Sequence, residues 1–242
     1  MKNEHNHRWN TLNYEKRVHE LNRIDLHKLY PSESWALYRI LPDCKSVLDL
    51  GCGNGAMAEI TKKISPNTLY TGVDHQFNLI NRAKDIFNFA HFEASDLLSY
   101  LKKCKNFDCV MSWSVIKSFQ NWREILNLMI EKCNKYVICD IRVSNDNFEA
   151  FDNSVCYADY QGIKGPIIYL NYPIFLNGIL EHQDKLSRVE VAGYQSEWGQ
   201  FVHLREDLSK ENFLIVTVLF KNTVDQDFEL FERLPSNLIK KH

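Results

Sequence analysis

One nine-residue run constrains this chain more than any other: Val47-Leu48-Asp49-Leu50-Gly51-Cys52-Gly53-Asn54-Gly55. Its short apolar start reads as a buried strand of a parallel sheet. It breaks into a turn with glycines at alternate positions, and the chain continues helically through Ala56-Met57-Ala58-Glu59-Ile60. Strand, glycine turn and helix in that order open a nucleotide-binding βαβ unit. Glycine suits the turn because a Cβ would block a ligand lying against the backbone, and because tight turns often need positive φ. The opening amides of the helix then face the ligand. The expected fold class is α/β, with a doubly wound sheet.

Two ligand classes use such a turn. Dinucleotides want G-x-G-x-x-G/A, and Gly51, Gly53 and Ala56 fit that spacing. Asp49, two positions before the first glycine, points elsewhere: a carboxylate repels a pyrophosphate and tolerates a ligand carrying an amino group and a sulfonium. Leu48-Asp49-Leu50-Gly51-Cys52-Gly53-Asn54-Gly55 closely resembles the first motif of the class I S-adenosylmethionine (SAM) dependent methyltransferases. The resemblance implies that Asp49, Gly51, Cys52 and Gly53 run under the methionine part of SAM. Cys52 reads as a small residue filling the turn, not as a nucleophile.

The following segments keep the order of that family. Residues 68–73 are β-rich and end in Asp74, with a helical stretch expected over 76–88. An ionised carboxylate at this strand tip can accept both ribose hydroxyls; NAD enzymes use the same device, so Asp74 alone does not separate the readings. His75 is expected to line the adenine pocket. A third strand over 90–94 leads into Ser95-Asp96-Leu97, where the resemblance implies that Asp96 meets the adenine amino group and Leu97 donates its amide to the ring. As plain structure, Asp74 and Asp96 would each cap the helix that follows. Phe107-Asp108-Cys109-Val110-Met111-Ser112-Trp113 resembles the fourth strand and trailing loop of the family, making Ser112 and Trp113 expected walls of the SAM site. Residues 135–141 read as the fifth strand. The resemblance covers about residues 44–141 and fades beyond.

It implies a Rossmann-like, doubly wound, seven-stranded and mostly parallel sheet with an antiparallel edge strand. It also implies a division into an N-terminal helical lid (1–43), a SAM-binding domain (44–223) with a substrate-cap insertion at about 142–186, and a polar tail (224–242). In the first segment, helical spacing is expected over 14–29, then a break at Pro31 and a second helix over 35–41 capped by Ser32 or Ser34. Tyr14 is expected at the cofactor, with Trp9, Arg17 and Tyr30 as further lid residues. Glycines and prolines interrupt 142–186 repeatedly, and Tyr160-Gln161-Gly162-Ile163-Lys164 matches the Y-x-x-x-K pair of short-chain dehydrogenases. That pair needs one helix face, and Gly162 with Gly165-Pro166 argues against a helix. Residues 186–194 and 213–220 are expected as the last strands.

Composition fits a single core: 242 residues, 45% hydrophobic. A net charge of −2 without a basic stripe argues against a nucleic-acid substrate. The seven cysteines are scattered without a C-x-x-C pair, so neither a disulfide framework nor a metal site is expected. The polar N-terminus lacks a signal-peptide core, and no apolar run approaches a membrane span. A cytoplasmic protein of a bacterium with an AT-rich genome is the expectation; the sequence leaves the oligomeric state open.

Methyl transfer from a sulfonium depends chiefly on holding the acceptor close and aligned, and an oxygen or nitrogen acceptor can need a general base. His182 is the preferred base, ahead of His203, His75 and Asp140, because it falls near the last strands and titrates near neutrality. Lys117, just after the fourth strand, is placed to hold an anionic substrate group. Motifs of adenine-N6, cytosine-C5, arginine and metal-dependent catechol methyltransferases are missing. The reading is therefore a SAM-dependent methyltransferase acting on an oxygen or nitrogen of a small, anionic metabolite or polysaccharide precursor. An NAD(P)-dependent Rossmann oxidoreductase and a non-catalytic SAM-fold binding protein are the alternatives.

Overall fold

The computed structural model describes residues 24–160, 162–223 and 226–239. The expectations for Trp9, Tyr14 and Arg17 lie outside the described residues, as does most of the proposed lid.

The glycine-turn unit forms as the sequence predicts. β1 (Ser46–Leu50), β2 (Leu69–Asp74), β3 (His91–Ala94), β4 (Phe107–Ser112) and β5 (Cys133–Val143) alternate with α2 (Ala56–Ile64), α3 (Phe77–Ile86), α4 (Leu97–Lys103) and α5 (Trp122–Lys132). α1 (Pro31–Ile40) precedes them. Beyond β5 come β6 (Cys156–Tyr160), β7 (Ile163–Pro166), α6 (Tyr172–Leu180), β8 (Leu186–Ser196), β9 (Val202–Leu204), β10 (Asn212–Lys221), β11 (Glu229–Arg233) and α7 (Ser236–Ile239).

Eight strands form the main sheet in the order β11-β8-β10-β5-β4-β1-β2-β3. β1 to β5 pair in parallel, and β10 runs antiparallel to both β5 and β8. The antiparallel strand is therefore inside the sheet and not at its edge. The edge is β11, which pairs in parallel with β8. Its residues Glu229-Leu230-Phe231-Glu232-Arg233 are all exposed, so the tail expected as a polar surface segment lies at the surface but adds an eighth strand.

The two faces of the sheet bury separate cores. Leu48, Leu50, Val110, Val137, Cys139, Ile141 and Ile215 pack on one side with α4, α5 and α6. Val47, Cys109, Met111, Ile138, Val216 and Val218 pack on the other with α1, α2 and α3. Alternation along each strand divides the set, as a sheet covered on both faces requires. Trp122 of α5 and Phe175 of α6 are fully buried with ring centroids 5.6 Å apart; burial of one such phenyl contributes about 2–3 kcal/mol.

α1 begins earlier than expected. Pro31 does not stop a helix but starts one: its missing N–H costs nothing in the first turn. The cap is at Tyr30, whose N–H donates to Glu33 Oε2 at 2.9 Å, in place of Ser32 or Ser34. Of the helix expected over 14–29, the described end is a short 3-10 turn at Leu26–Lys28.

The stretch after β5 builds a second, three-stranded sheet in the order β7-β6-β9, packed on Tyr169, Ile167 and Leu208. β6 and β7 form a hairpin around Gly162, which has φ +86° and donates its N–H to Asp159 Oδ1 at 2.7 Å. The register sets Lys164 opposite Asp159, so the Y-x-x-x-K residues sit in a hairpin and not on a helix.

Candidate active site

The glycine turn lies where β1 ends, at the carboxyl edge of the parallel strands, where open α/β sheets bind their ligands. Gly51 has φ +76° and Gly55 φ +79°. A Cβ on Gly51 would lie 2.3 Å from Val115 Cγ2, and one on Gly55 would lie 2.7 Å from the Phe92 ring. The turn is therefore closed from behind by Val115 and Phe92, and its amides are turned inward. Gly51 N–H and Cys52 N–H donate to Val73 O at 2.7 and 3.1 Å, and Gly53 N–H donates to Asp74 Oδ2 at 3.0 Å. Cys52 is buried; desolvation and the nearby Asp49 and Asp74 push its thiol pKa well up. It is an inert filler of the turn.

Asp74 closes this clamp. Its Oδ1 accepts Gln76 N–H at 2.9 Å, and His75 Nδ1 is 3.4 Å away. A carboxylate has about four acceptor sites, so the two backbone bonds leave capacity on both oxygens for vicinal hydroxyls. Beside it, His75 Nε2 and Gln76 Oε1 are buried without a hydrogen-bond partner. Orphaned buried polar atoms are uncommon, and these two flank the carboxylate expected to bind ribose. The cradle, the carboxylate and the orphaned atoms suit an adenosyl ligand.

Asp49 lies one residue before the end of β1. It is buried and accepts a hydrogen bond from the Tyr70 hydroxyl. Burial raises its pKa to about 7, against the lowering effect of Tyr70 and with a further rise from Asp74. Asp96 caps α4, its Oδ1 accepting Ser99 N–H at 2.9 Å; it is exposed, and Leu97 beside it is buried. Ser112 is buried, with its Oγ donating to Leu50 O at 3.4 Å, which ties the ends of β1 and β4 together. The Trp113 indole N–H points at Met111 Sδ, 3.4 Å away, and its ring packs on the α1 side of the core.

The loop after β4 contains a feature that the sequence does not announce. Ser114 has φ +58°, the single non-glycine residue with positive φ among those described. Its N–H and Oγ–H both donate to Asp140, the hydroxyl at 3.1 Å. Asp140 sits near the end of β5, buried, and desolvation raises its pKa against the opposing effects of Ser114, Lys117 and Arg142. Two bonds to a buried carboxylate hold the left-handed residue, which costs about 1–2 kcal/mol on its own. Lys117 Nζ donates to Ser114 O, and Lys117 O accepts Ile168 N–H at 2.7 Å. The loop beside the glycine turn is thus bound to the segment that leads from the second sheet.

His182 is not at this site. It lies just before the short turn that leads into β8, and β8 starts beside Lys221, the end of β10 that pairs with the start of β5. This is the amino edge of the parallel strands, across the sheet from the glycine turn. From that edge His182 does not reach the glycine turn, so the expected role as base does not fit its position. His203 is on β9, its ring stacked 4.8 Å from that of Tyr157. Among the described residues, no group of three or more His, Cys, Asp or Glu side chains could hold a metal ion, and no helix is long and apolar enough to cross a membrane.

Comparison with known proteins agrees with this geometry. A family model described as a methyltransferase domain matches residues 14–208. No curated protein matches the chain. Among solved structures, the N-terminal domain of EvdMO1 with S-adenosylhomocysteine (SAH) bound superposes with a TM-score of 0.60 at 14% identity, covering 81% of this chain and 82% of that one. The plantazolicin methyltransferase BpumL in complex with SAH gives 0.59 at 16%, covering 91% and 94%. A TehB-like SAM-dependent methyltransferase from Corynebacterium glutamicum gives 0.52 at 16%, covering 87% and 97%. The match over most of its length and the shared architecture make this chain a member of the methyltransferase-domain family, with the fold of the class I SAM-dependent enzymes.

Proposed function

We propose that the protein moves a methyl group from SAM to an oxygen or nitrogen of a small, anionic acceptor, such as an acidic metabolite or a sugar precursor of a polysaccharide. The observation that carries the cofactor half is the clamp of Gly53 on Asp74, with free acceptor capacity on the carboxylate beside two orphaned polar atoms. SAM supplies an electrophilic methyl group on a sulfonium, lost by in-line displacement. The chain's own work is positioning. Gly51 and Gly53 open the cradle, Asp74 holds the ribose, and Asp96 with the Leu97 amide faces the adenine. Asp140 fixes the Ser114 loop beside the point of transfer.

An anionic acceptor is supported by Lys117, whose ammonium lies in that loop. A sugar is supported more loosely: the EvdMO1 domain, similar in fold, was also crystallised in the presence of SAH and D-fucose. The carboxylate that is bound to the loop is Asp140. Its pKa is raised, and it is occupied by Ser114, which fits positioning better than proton abstraction. The test is SAH release from SAM with matched neutral, carboxylated and phosphorylated acceptors. Turnover confined to anionic acceptors, with a raised KM in Lys117→Gln, supports the reading; turnover on neutral acceptors with KM unmoved in that variant removes the anionic half.

A further inference from the structure

On the α1 side of the sheet, β8 and β11 meet α1 at a hollow of about 220 Å³ lined by Trp35, Arg39, Arg188, Glu190, Phe231 and Arg233. The register explains the gathering. Arg188 pairs with Glu229, Glu190 with Phe231 and Ala192 with Arg233, so alternate residues of both strands face the same way.

The charges do not balance. Glu190 is 7% exposed, and its Oε1 is 2.7 Å from Arg39 Nη2, which donates to it. Arg188 Nε lies 2.7 Å from the same oxygen but out of line, so that its buried N–H finds no acceptor. The Arg188 guanidinium lies over the rings of Phe220 and Phe231, at 5.5 and 4.3 Å from their centroids. Arg233 is exposed at the rim without an acidic partner among the described residues. Arg39, Arg188 and Arg233 thus line the hollow with one carboxylate, Glu190; Arg188 also borders the adjoining hollow, where Glu229 and Asp227 lie without forming an ion pair to it. Arginine side chains held rigid by stacking, with a buried N–H unused, form a preorganised receptor for an oxyanion.

We infer that this hollow is a second ligand site, which binds a compact dianion carried as a phosphate ester or a dicarboxylate. It is separate from the cofactor site: β8 lies four strands from β1, about 19 Å at the usual strand spacing. Its volume admits a group of a few heavy atoms against Trp35 and Phe231, not a polymer.

Calorimetric titration of the full chain with sodium phosphate and, separately, sodium malonate tests it, against sodium chloride at matched ionic strength. Saturable binding of phosphate alone identifies a phosphate ester as the ligand chemistry, and of malonate alone a dicarboxylate. Arg233→Gln, which alters an exposed side chain, and Arg39→Gln should each weaken binding by about tenfold or more while SAH affinity stays as in the wild type. No saturable heat with either anion up to about 10 mM, or equal affinity in wild type and Arg233→Gln, overturns the inference.

Discussion

Gly51→Ala places a methyl group where the structure has no room, and two separate costs can be read from the geometry. The first is backbone: alanine at φ +76° costs about 1–2 kcal/mol. The second is steric: the new Cβ lies 2.3 Å from Val115 Cγ2, far inside the roughly 3.5–4.0 Å of a favourable carbon contact. Relief of that overlap by moving Val115 costs about 1–3 kcal/mol. Together they remove about 2–5 kcal/mol, a large part of a typical stability of roughly 5–15 kcal/mol. Val115→Ala, at a half-buried position, removes about 1 kcal/mol by itself. In the double variant the overlap with the two Cγ atoms disappears, while a 3.2 Å contact with the remaining Cβ and the backbone cost stay, so the two changes couple favourably by about 1–2 kcal/mol. Urea unfolding of the four proteins, with SAH titration alongside, measures this. Strictly additive losses would refute the reasoning, because they would mean that Val115 does not close the turn.

Other consequences follow from the buried acids. Asp49 has its pKa raised to about 7 by burial, so between roughly pH 4 and pH 7 the folded state holds a proton that the unfolded state has released, and stability falls as pH rises through that window. At pH 8 the cost approaches about 4 kcal/mol; Asp49→Asn, which keeps an acceptor for Tyr70, should flatten the slope and gain stability at pH 8 in thermal melts. Asp140→Ala leaves the left-handed Ser114 without its two bonds and should lower kcat by about tenfold or more with a loss of roughly 1–3 kcal/mol in stability. His182→Gln, at the opposite edge of the sheet, should leave kcat and KM within about twofold, as surface changes away from a site do; steady-state kinetics on the two variants separate the roles.

What could be read from the sequence was what is encoded locally. The glycine turn, the strands that lead to Asp74 and Asp96, and the interruption of Y-x-x-x-K by Gly162 all depend on residues a few positions apart, and each appears as expected. Features that depend on distant pairing did not show. β11 reads as polar because Glu229, Glu232 and Arg233 are charged; only the register with β8 makes it a strand. β9 joins β6 across more than forty residues, so the second sheet extends past the insertion expected at 142–186. The position of His182 along the chain does not tell at which end of the sheet its loop emerges. Ser114 carried no glycine to mark its left-handed backbone, because Asp140, contributed by another strand, stabilises it.

The central claim is that the Gly51–Gly55 turn and Asp74 bind the adenosyl cofactor. The direct measurement is calorimetric titration of the full chain with SAH, and with NADH in parallel, on wild type and Asp74→Ala. The account predicts micromolar SAH binding to the wild type, no NADH binding, and an affinity for SAH reduced by about a hundredfold or more in the variant, the range expected for loss of charge-assisted bonds to two hydroxyls and to the Gly53 amide. Equal SAH affinity in both proteins, or no SAH binding to the wild type, would contradict it.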